Sequence, residues 1–313
     1  MGVIDLIGKT PLVRLAAPDR GAAVPVFAKC EHLNPGGSIK DRIAKSIIED
    51  AEARGVLRPG ATLVEATAGN TGIGLAIVSA GKGYRLVCVM PEKMSIDKRE
   101  ALASLGAQVV MTANAPPGSP ENFRNVARRL AEEHGWFLTD QFANPANPLA
   151  HERDTASEIL EQTNGNIGAF VCGAGTGGTI VGVARRLKRE VPGISIVLAD
   201  PVGSGLADWV ETGVIGPDGP YAVEGIGGSE PTAILDRSVI DAAERISDDE
   251  SFETTRRLVQ EEGLLVGGSS GTNVAAALRI AARGGLRGPV VTILADGWDR
   301  YRSKPWMRAW AKS

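Results

Sequence analysis

The sequence predicts an α/β protein built on open parallel sheets, and three observations carry that prediction. Short unbroken runs of Val, Ile and Leu recur along nearly the whole chain, as in strands covered on both faces. Amphipathic segments of helical period lie between them. Glycine, 39 of 313 residues, gathers where such a run gives way to a helix-like segment. Regular alternation of the two periods excludes a coiled coil and an all-β protein.

In chain order, strands are expected at Thr62–Ala66, 85–90, Gln108–Thr112, Ala169–Cys172, 195–199, 264–266 and Val290–Leu294. Residues 39–54 read as a helix, because Ile39, Ile43, Ala44, Ile47, Ile48 and Ala51 fall on one face. Alternating charges at 96–100 and 124–133 predict solvated helix faces. Pro, Gly and Asp cluster at 113–120 and 213–221, which read as loops. Trp306, Met307 and Trp310 have roughly helical spacing and suit core packing or a subunit contact better than chemistry. The length corresponds to about two domains at roughly 150 residues each. Neither a long linker nor an internal repeat separates them, so two closely packed domains are expected.

Composition narrows the function. Lys and Arg number 34 against 37 Asp and Glu, a net charge of −3; no basic stripe marks a nucleic-acid partner. No apolar run approaches the roughly 20 residues of a membrane helix. The opening MGVIDLIGKTPL lacks the basic and apolar regions of a signal peptide. Cys30, Cys88 and Cys172 lie far apart with no C-x-x-C, which predicts buried free thiols in a reducing cytoplasm. His32, His134 and His151 lack metal-ligand spacing, so no metal site is expected.

Four glycine-rich junctions concentrate the remaining signal. Asn34-Pro35-Gly36-Gly37-Ser38-Ile39-Lys40 delivers a lysine to the start of a helix. A cation is disfavoured at the positive end of a helix dipole, which lowers the amine's pKa and favours a nucleophile. Glu65-Ala66-Thr67-Ala68-Gly69-Asn70-Thr71-Gly72 runs from a strand into a helix, where amides and hydroxyls can converge on a small anion or simply cap the helix through Asn70 or Thr71. Gly173 to Thr179 lies between the strand Ala169–Cys172 and a helix at 180–190, an arrangement suited to a phosphate. It also matches G-x-G-x-x-G with Asp200 downstream, the dinucleotide alternative. Val266-Gly267-Gly268-Ser269-Ser270-Gly271-Thr272-Asn273, between the strand at 264–266 and a helix at 274–282, offers a neutral hydroxyl or an N-cap. An amine, an anion loop, a phosphate loop and a hydroxyl together are what pyridoxal 5'-phosphate requires.

With the motifs NPGGSIKDR, TAGNTG, QFANPANP, GTGGT, EGIG and GGSSG in this order, the chain resembles the cysteine synthase/cystathionine β-synthase family of pyridoxal-phosphate enzymes. The resemblance covers nearly its full length and lies closest to cysteine synthase. It implies two packed open-sheet α/β domains of the tryptophan-synthase-β-like, fold-type II class. One domain would span 35–145, with a mobile substrate loop; the other would combine 1–34 with 146–313 and bind the phosphate. By position, Lys40 would carry the cofactor as a Schiff base and serve as acid and base. Asn70 would bond its 3′-oxygen, Gly175, Thr176, Gly177, Gly178 and Thr179 its phosphate, and Ser269 its ring nitrogen. Thr67, Ala68, Gly69, Thr71 and Gln141 would surround the substrate carboxylate, with Gly225 of EGIG near the substrate amine.

The same resemblance implies β-replacement through α-aminoacrylate: O-acetylserine or O-phosphoserine plus sulfide gives L-cysteine. The alternative is cystathionine β-synthase, joining serine or an activated serine to homocysteine; Val223-Glu224-Gly225-Ile226-Gly227 leans that way. A non-catalytic cofactor-binding homologue is a third reading, opposed by intact Lys40, Asn70 and Ser269. The family usually has Ser where this chain has Ala68, which removes a hydroxyl and predicts altered substrate preference. A homodimer is implied, and a serine acetyltransferase is a candidate partner.

Overall fold

A computed structural model of the chain describes residues 1–16, 21–67, 69–94, 96–116 and 118–310. Among them the strands are β1 (Leu12–Arg14), β2 (Val26–Cys30), β3 (Thr62–Ala66), β4 (Arg85–Pro91), β5 (Gln108–Thr112), β6 (Phe137–Leu138), β7 (Ala169–Cys172), β8 (Ser195–Pro201), β9 (Ala242–Ile246) and β10 (Val290–Leu294). The helices are α1 (Lys40–Ala53), α2 (Asn70–Lys82), α3 (Ile96–Ser104), α4 (Phe123–His134), α5 (Ala146–Ala150), α6 (Ala156–Thr163), α7 (Gly178–Glu190), α8 (Leu206–Thr212), α9 (Asp248–Glu262), α10 (Gly268–Arg283) and α11 (Pro305–Trp310). The chain divides into two compact units.

The first unit comprises Met1–Ile7 and Asn34–Asn147. Its parallel sheet has the order β5-β4-β3-β6. Alternation along the strands sends Leu63, Cys88 and Met90 to one face, where they pack with Ile48 of α1 and Leu75 and Val78 of α2. Val64, Ala66, Val87 and Val89 face the other way, onto Val126, Ala127 and Ala131 of α4. Residues 1–7 were expected with the other domain, but Ile7 is buried in this core and Ile4 packs against it.

The second unit comprises Gly8–Leu33 and the described residues from Pro148 onward. Its sheet order is β1-β2-β10-β7-β8-β9, parallel except where β1 pairs antiparallel with β2. Ala28, Val171, Val197 and Leu294 pack with Leu258 of α9 and Val274 and Ala277 of α10. Trp306 of α11 stacks on Phe252 of α9 at 4.5 Å between ring centroids, and Met307 is buried. The three cysteines are free and buried; burial pushes the Cys30 thiol up to about 11 and Cys88 to about 12. Among the described residues no helix is long and apolar enough to cross a membrane.

Several expectations need correction. Residues 264–266 form no ladder strand: Val266 makes an isolated antiparallel bridge to Gly297. Strands β1, β2, β6 and β9 were not anticipated. The helix expected at 274–282 begins at Gly268, and that expected at 180–190 begins at Gly178. Gly178-Thr179 and Gly268-Ser269-Ser270-Gly271 are therefore wound into the first turns of α7 and α10.

Candidate functional site

In parallel sheets the loops leaving the carboxyl ends of strands are where ligands bind. In the first unit β3 ends at Ala66 and Gly69 serves as N-cap of α2 with φ −131°, an ordinary extended backbone. Asn70 and Thr71 therefore sit in the first helical turn instead of capping it. Ala68 lies outside the described residues. Buried Thr67 accepts a hydrogen bond from the Gly69 amide at 3.3 Å through its hydroxyl. The Thr71 hydroxyl donates to Gln141 Oε1 at 2.6 Å, and both residues are buried.

Lys40 is the first residue of α1 and half-buried. The preceding turn is closed locally: the Gly36 amide donates to Asp41 Oδ2 at 2.5 Å, and the Lys40 amide to Ser38 Oγ at 3.3 Å. Helix α2 comes unusually near this point. A Cβ added to Gly74 would lie 3.0 Å from the Lys40 carbonyl oxygen and 3.1 Å from Asp41 Cα. Gly74 is about one turn beyond Asn70 and Thr71. That absent side chain lets the lysine's helix lie against the helix that starts with those two residues.

Glu65, which the sequence places in this junction without a role, organises this side. Its carboxylate accepts from the Thr139 hydroxyl, from the Gln141 amide at 3.1 Å and from the Ala66 amide at 3.0 Å. Glu65 thereby ties the end of β3 to the loop bearing Gln141. A carboxyl group inside an otherwise apolar strand was the available signal. Burial pushes Glu65 up to about 7, although its hydrogen bonds from Thr139, Gln141 and Ala66 pull the other way. The unfolded carboxyl titrates near 4.5. The folded form therefore binds the extra proton, and its contribution to stability, complete below that value, is lost as pH rises through about 7. Urea unfolding of the apoprotein should show this loss, and Glu65→Gln should remove that part of the slope. An unchanged slope in the variant would show that another group titrates.

In the second unit the segment 173–179 runs from β7 into α7. It contains no charged side chain. The Gly173 amide donates to Asn273 Oδ1 at 2.7 Å, and Asn273 Nδ2 donates to the Ile293 carbonyl at 2.9 Å. This one side chain of α10 pins the start of the loop to the end of β10; sequence reasoning gave it no role. The Gly227 amide donates to the Ala174 carbonyl at 2.9 Å. A Cβ on Gly175 would overlap the Gly225 carbonyl oxygen, so Gly175 and Gly225 are held together backbone to backbone. Gly177 has φ +85°, the left-handed region that favours glycine, and caps the 13-residue α7. Thr176 accepts from the Gly178 amide at 3.3 Å through its hydroxyl, and its carbonyl accepts from the Thr232 hydroxyl at 2.7 Å. Ser269 is buried in the first turn of α10, one turn before Asn273.

These features fit pyridoxal phosphate. Of the segment's four glycines, Gly175, Gly177 and Gly178 put amides without a Cβ beside them at the positive end of a helix, two threonines add hydroxyls, and the segment itself carries no carboxylate to oppose a phosphate dianion. The neutral Ser269 hydroxyl suits a ring nitrogen that is not to be held as a cation. The dinucleotide alternative fails on Asp200. Its carboxylate is fully buried and accepts from the Ala207 amide at 2.8 Å, inside the first turn of α8; burial pushes it up to about 6. A ribose-binding acid must be accessible, and this one is a structural support.

Comparison with known proteins agrees with this chemistry. Residues 3–296 match the family described as pyridoxal-phosphate dependent enzyme. The chain is 47% identical over 306 residues to cystathionine beta-synthase of Rattus norvegicus, covering 96% of this chain and 54% of that protein. It is 43% identical over 306 residues to cysteine synthase of Staphylococcus aureus, covering 97% and 96%. The chain thus spans about half the length of the cystathionine beta-synthase and nearly all of the cysteine synthase. The solved structure of an O-ureido-L-serine synthase is similar with a TM-score of 0.89 at 38% identity, covering 100% and 99% of the two chains. That of the O-acetylserine dependent cystathionine beta-synthase from Helicobacter pylori gives 0.88 at 38% identity, covering 97% of each.

Proposed function

Because this chain belongs to the pyridoxal-phosphate dependent enzyme family, we propose that it catalyses β-replacement on an O-activated L-serine, with sulfide as the nucleophile and L-cysteine as the product. The observation that carries this reading is the Thr71–Gln141 hydrogen bond on the helix that packs against the start of α1. It sets two neutral polar side chains at a helix N-terminus, which suits an amino-acid carboxylate, close along α2 to the turn that bears an amine.

The residue roles are those that the family resemblance implies for these positions. Gly175, Thr176, Gly177, Gly178 and Thr179 hold the phosphate through amides and hydroxyls. Asn70 would hydrogen-bond the 3′-oxygen, and Ser269 would serve the ring nitrogen. Thr67, Gly69, Thr71 and Gln141 orient the substrate carboxylate, and Gly225 lies by its amine. Lys40 would hold the cofactor covalently and would be the base for the proton on the substrate Cα. When bound, pyridoxal phosphate supplies the electron sink that makes this proton acidic. A hydroxyl at residue 269 cannot keep the ring nitrogen protonated as a carboxylate would. A weaker sink favours loss of the β-substituent and addition at Cβ over transamination.

Cystathionine formation from an activated serine and homocysteine is the second reading, favoured by the 47% identity to a cystathionine beta-synthase and by the similarity to the O-acetylserine dependent enzyme. Steady-state kinetics with serine, O-acetylserine and O-phosphoserine, each against sulfide and homocysteine, separate the two. Higher kcat/KM with sulfide supports cysteine synthesis, and higher kcat/KM with homocysteine replaces it. Failure of every pair would leave the non-catalytic homologue.

Thr71→Val tests the carboxylate site. The substitution removes the donor that holds Gln141 Oε1 and with it the placement of the Gln141 amide group toward the carboxylate, so KM for the amino-acid substrate should rise about tenfold. KM for sulfide should stay unchanged, and an unchanged amino-acid KM would remove Thr71 from the site. The reading also carries a cytoplasmic location, supported by three free thiols and a bacterial cysteine synthase relative. It further carries a homodimer, with a serine acetyltransferase as candidate partner; sedimentation with and without that enzyme tests both.

A further inference from the structure

We propose that Glu65 is a positioning residue for the amino-acid substrate, which clamps the Gln141 peptide together with Asn147 and loosens its hold on taking up a proton. The clamp presents the Gln141 side-chain amide to the substrate carboxylate. The proposal rests on the reading that Thr71 and Gln141 bind that carboxylate. The Gln141 amide donates to Glu65 Oε2 at 3.1 Å, and the Gln141 carbonyl accepts from Asn147 Nδ2 at 2.7 Å. Glu65 and Asn147 are almost wholly buried, at 2% and 0% exposure.

The motif QFANPANP folds around this one peptide. Asn144 Nδ2 donates to the Thr139 carbonyl at 2.9 Å, and the Asn144 amide donates to the Asp140 carbonyl at 2.8 Å. Asp140, just before Gln141, holds φ +45°, a left-handed conformation that residues other than glycine seldom adopt. Such a residue persists only where its surroundings over-determine it. Gln141 Oε1 accepts from the Thr71 hydroxyl at 2.6 Å, which leaves Nε2 as the donor for a carboxylate.

The bonds around Glu65 differ between its two protonation states. Ionised, its carboxylate only accepts, and three donors converge on it: the Ala66 amide on Oε1, and the Thr139 hydroxyl and Gln141 amide on Oε2. Protonated, it must donate. The Thr139 oxygen can take that bond, because its own proton can turn to the Val64 carbonyl at 3.4 Å. The core stays satisfied, but the Gln141 amide now meets a neutral oxygen, and charge-assisted bonds are roughly twice as strong as neutral ones. Burial and, more weakly, the Asp140 charge push this titration up to about 7 against the three bonds. Cys88 stands opposite on β4, its thiol neutral with a pKa of about 12. On this face of the sheet α2 packs Leu75 and Val78 and α1 packs Ile48, while α1 opens with the charged Lys40 and Asp41.

The test uses the full-length holoenzyme, with affinities for L-serine and for L-serinamide, which lacks the carboxylate, read from the visible absorbance of the bound cofactor. Glu65→Gln keeps the shape of the side chain and fixes it in the neutral state. At about pH 8.5 it should weaken L-serine binding about tenfold while leaving L-serinamide binding unchanged. Below about pH 6, where wild-type Glu65 is itself neutral, the ratio of variant to wild-type affinity for L-serine should return to about one. The ratio cancels the titration of the ligand's own amine. In a Gln141→Ala background Glu65→Gln should have little further effect, because the coupling passes through that side chain. Equal weakening of both ligands, a ratio that does not change with pH, or full additivity with Gln141→Ala would mean that Glu65 only supports the fold, and would overturn the proposal. If Gln141→Ala alone leaves L-serine binding unchanged, the carboxylate reading itself fails and takes the proposal with it.

Discussion

Replacing Lys40 with Ala is expected to lower turnover of every activated serine by at least about 10²–10⁴-fold, the range set by loss of a positioned acid–base group. It should also abolish the visible absorbance of covalently held cofactor. The substitution separates chemistry from folding cleanly. Lys40 opens α1 without a side-chain cap at Ile39, and Ala is the best helix former, so the helix and its contact with Gly74 should persist. The proposed phosphate loop lies at 173–179, remote in sequence, so the variant should still bind pyridoxal phosphate by equilibrium dialysis. A variant that binds the cofactor, keeps its far-ultraviolet circular dichroism and fails to turn over assigns the amine to the chemistry. Full turnover would remove Lys40 from the mechanism.

The sequence revealed most of what is local and little of what is made by partners far along the chain. Interior strands such as β4 and β7 are legible because both faces are covered and residues 86–90 and 169–172 read as unbroken apolar runs. Strand β2 escapes because Lys29 interrupts it. That side chain has no exposed surface, and its charge is met by Glu158 Oε2 at 2.6 Å and Gln162 Oε1 at 2.9 Å, more than a hundred residues away. Strand β9 is hidden in the same way by Glu244, which pairs with Arg283 of α10. Residues 264–266 mislead in the opposite direction: apolar content shows that Val266 is buried but not that its backbone finds a single bridge.

The candidate site divides along the same line. Glycine junctions marked Lys40, Asn70, Gly175 and Ser269, since turns and close backbone approach leave a compositional trace. Glu65 and Asn273 lie within those junctions, yet neither shows its role in the sequence, because each acts by reaching a residue whose nearness is created by folding: Gln141 and Gly173. The supporting layer is therefore where the structure adds most to the sequence.

Gly175→Ala should have the second large effect, this time on cofactor retention. The new Cβ would overlap the Gly225 carbonyl oxygen, a backbone atom that cannot rotate aside like the end of a side chain. Gly225 and Gly227 already hold φ of +89° and +84°, and the Gly227 amide is bonded to Ala174. Relief therefore requires the two loops to separate as units. Overpacking of this kind costs about 1–3 kcal/mol. If the strain falls on the cradle, pyridoxal phosphate affinity drops about tenfold to a hundredfold. The apoprotein, free to let the loops part, should lose less than the holoprotein in thermal unfolding. Gly118→Ala is the matched control, since a Cβ there meets nothing within 4 Å and should change neither quantity. Wild-type affinity in Gly175→Ala would mean that the 173–179 turn does not hold the phosphate. A loss confined to the holoprotein would place the phosphate against this turn, and so tie Gly225 to the cofactor through the carbonyl that Gly175 makes room for.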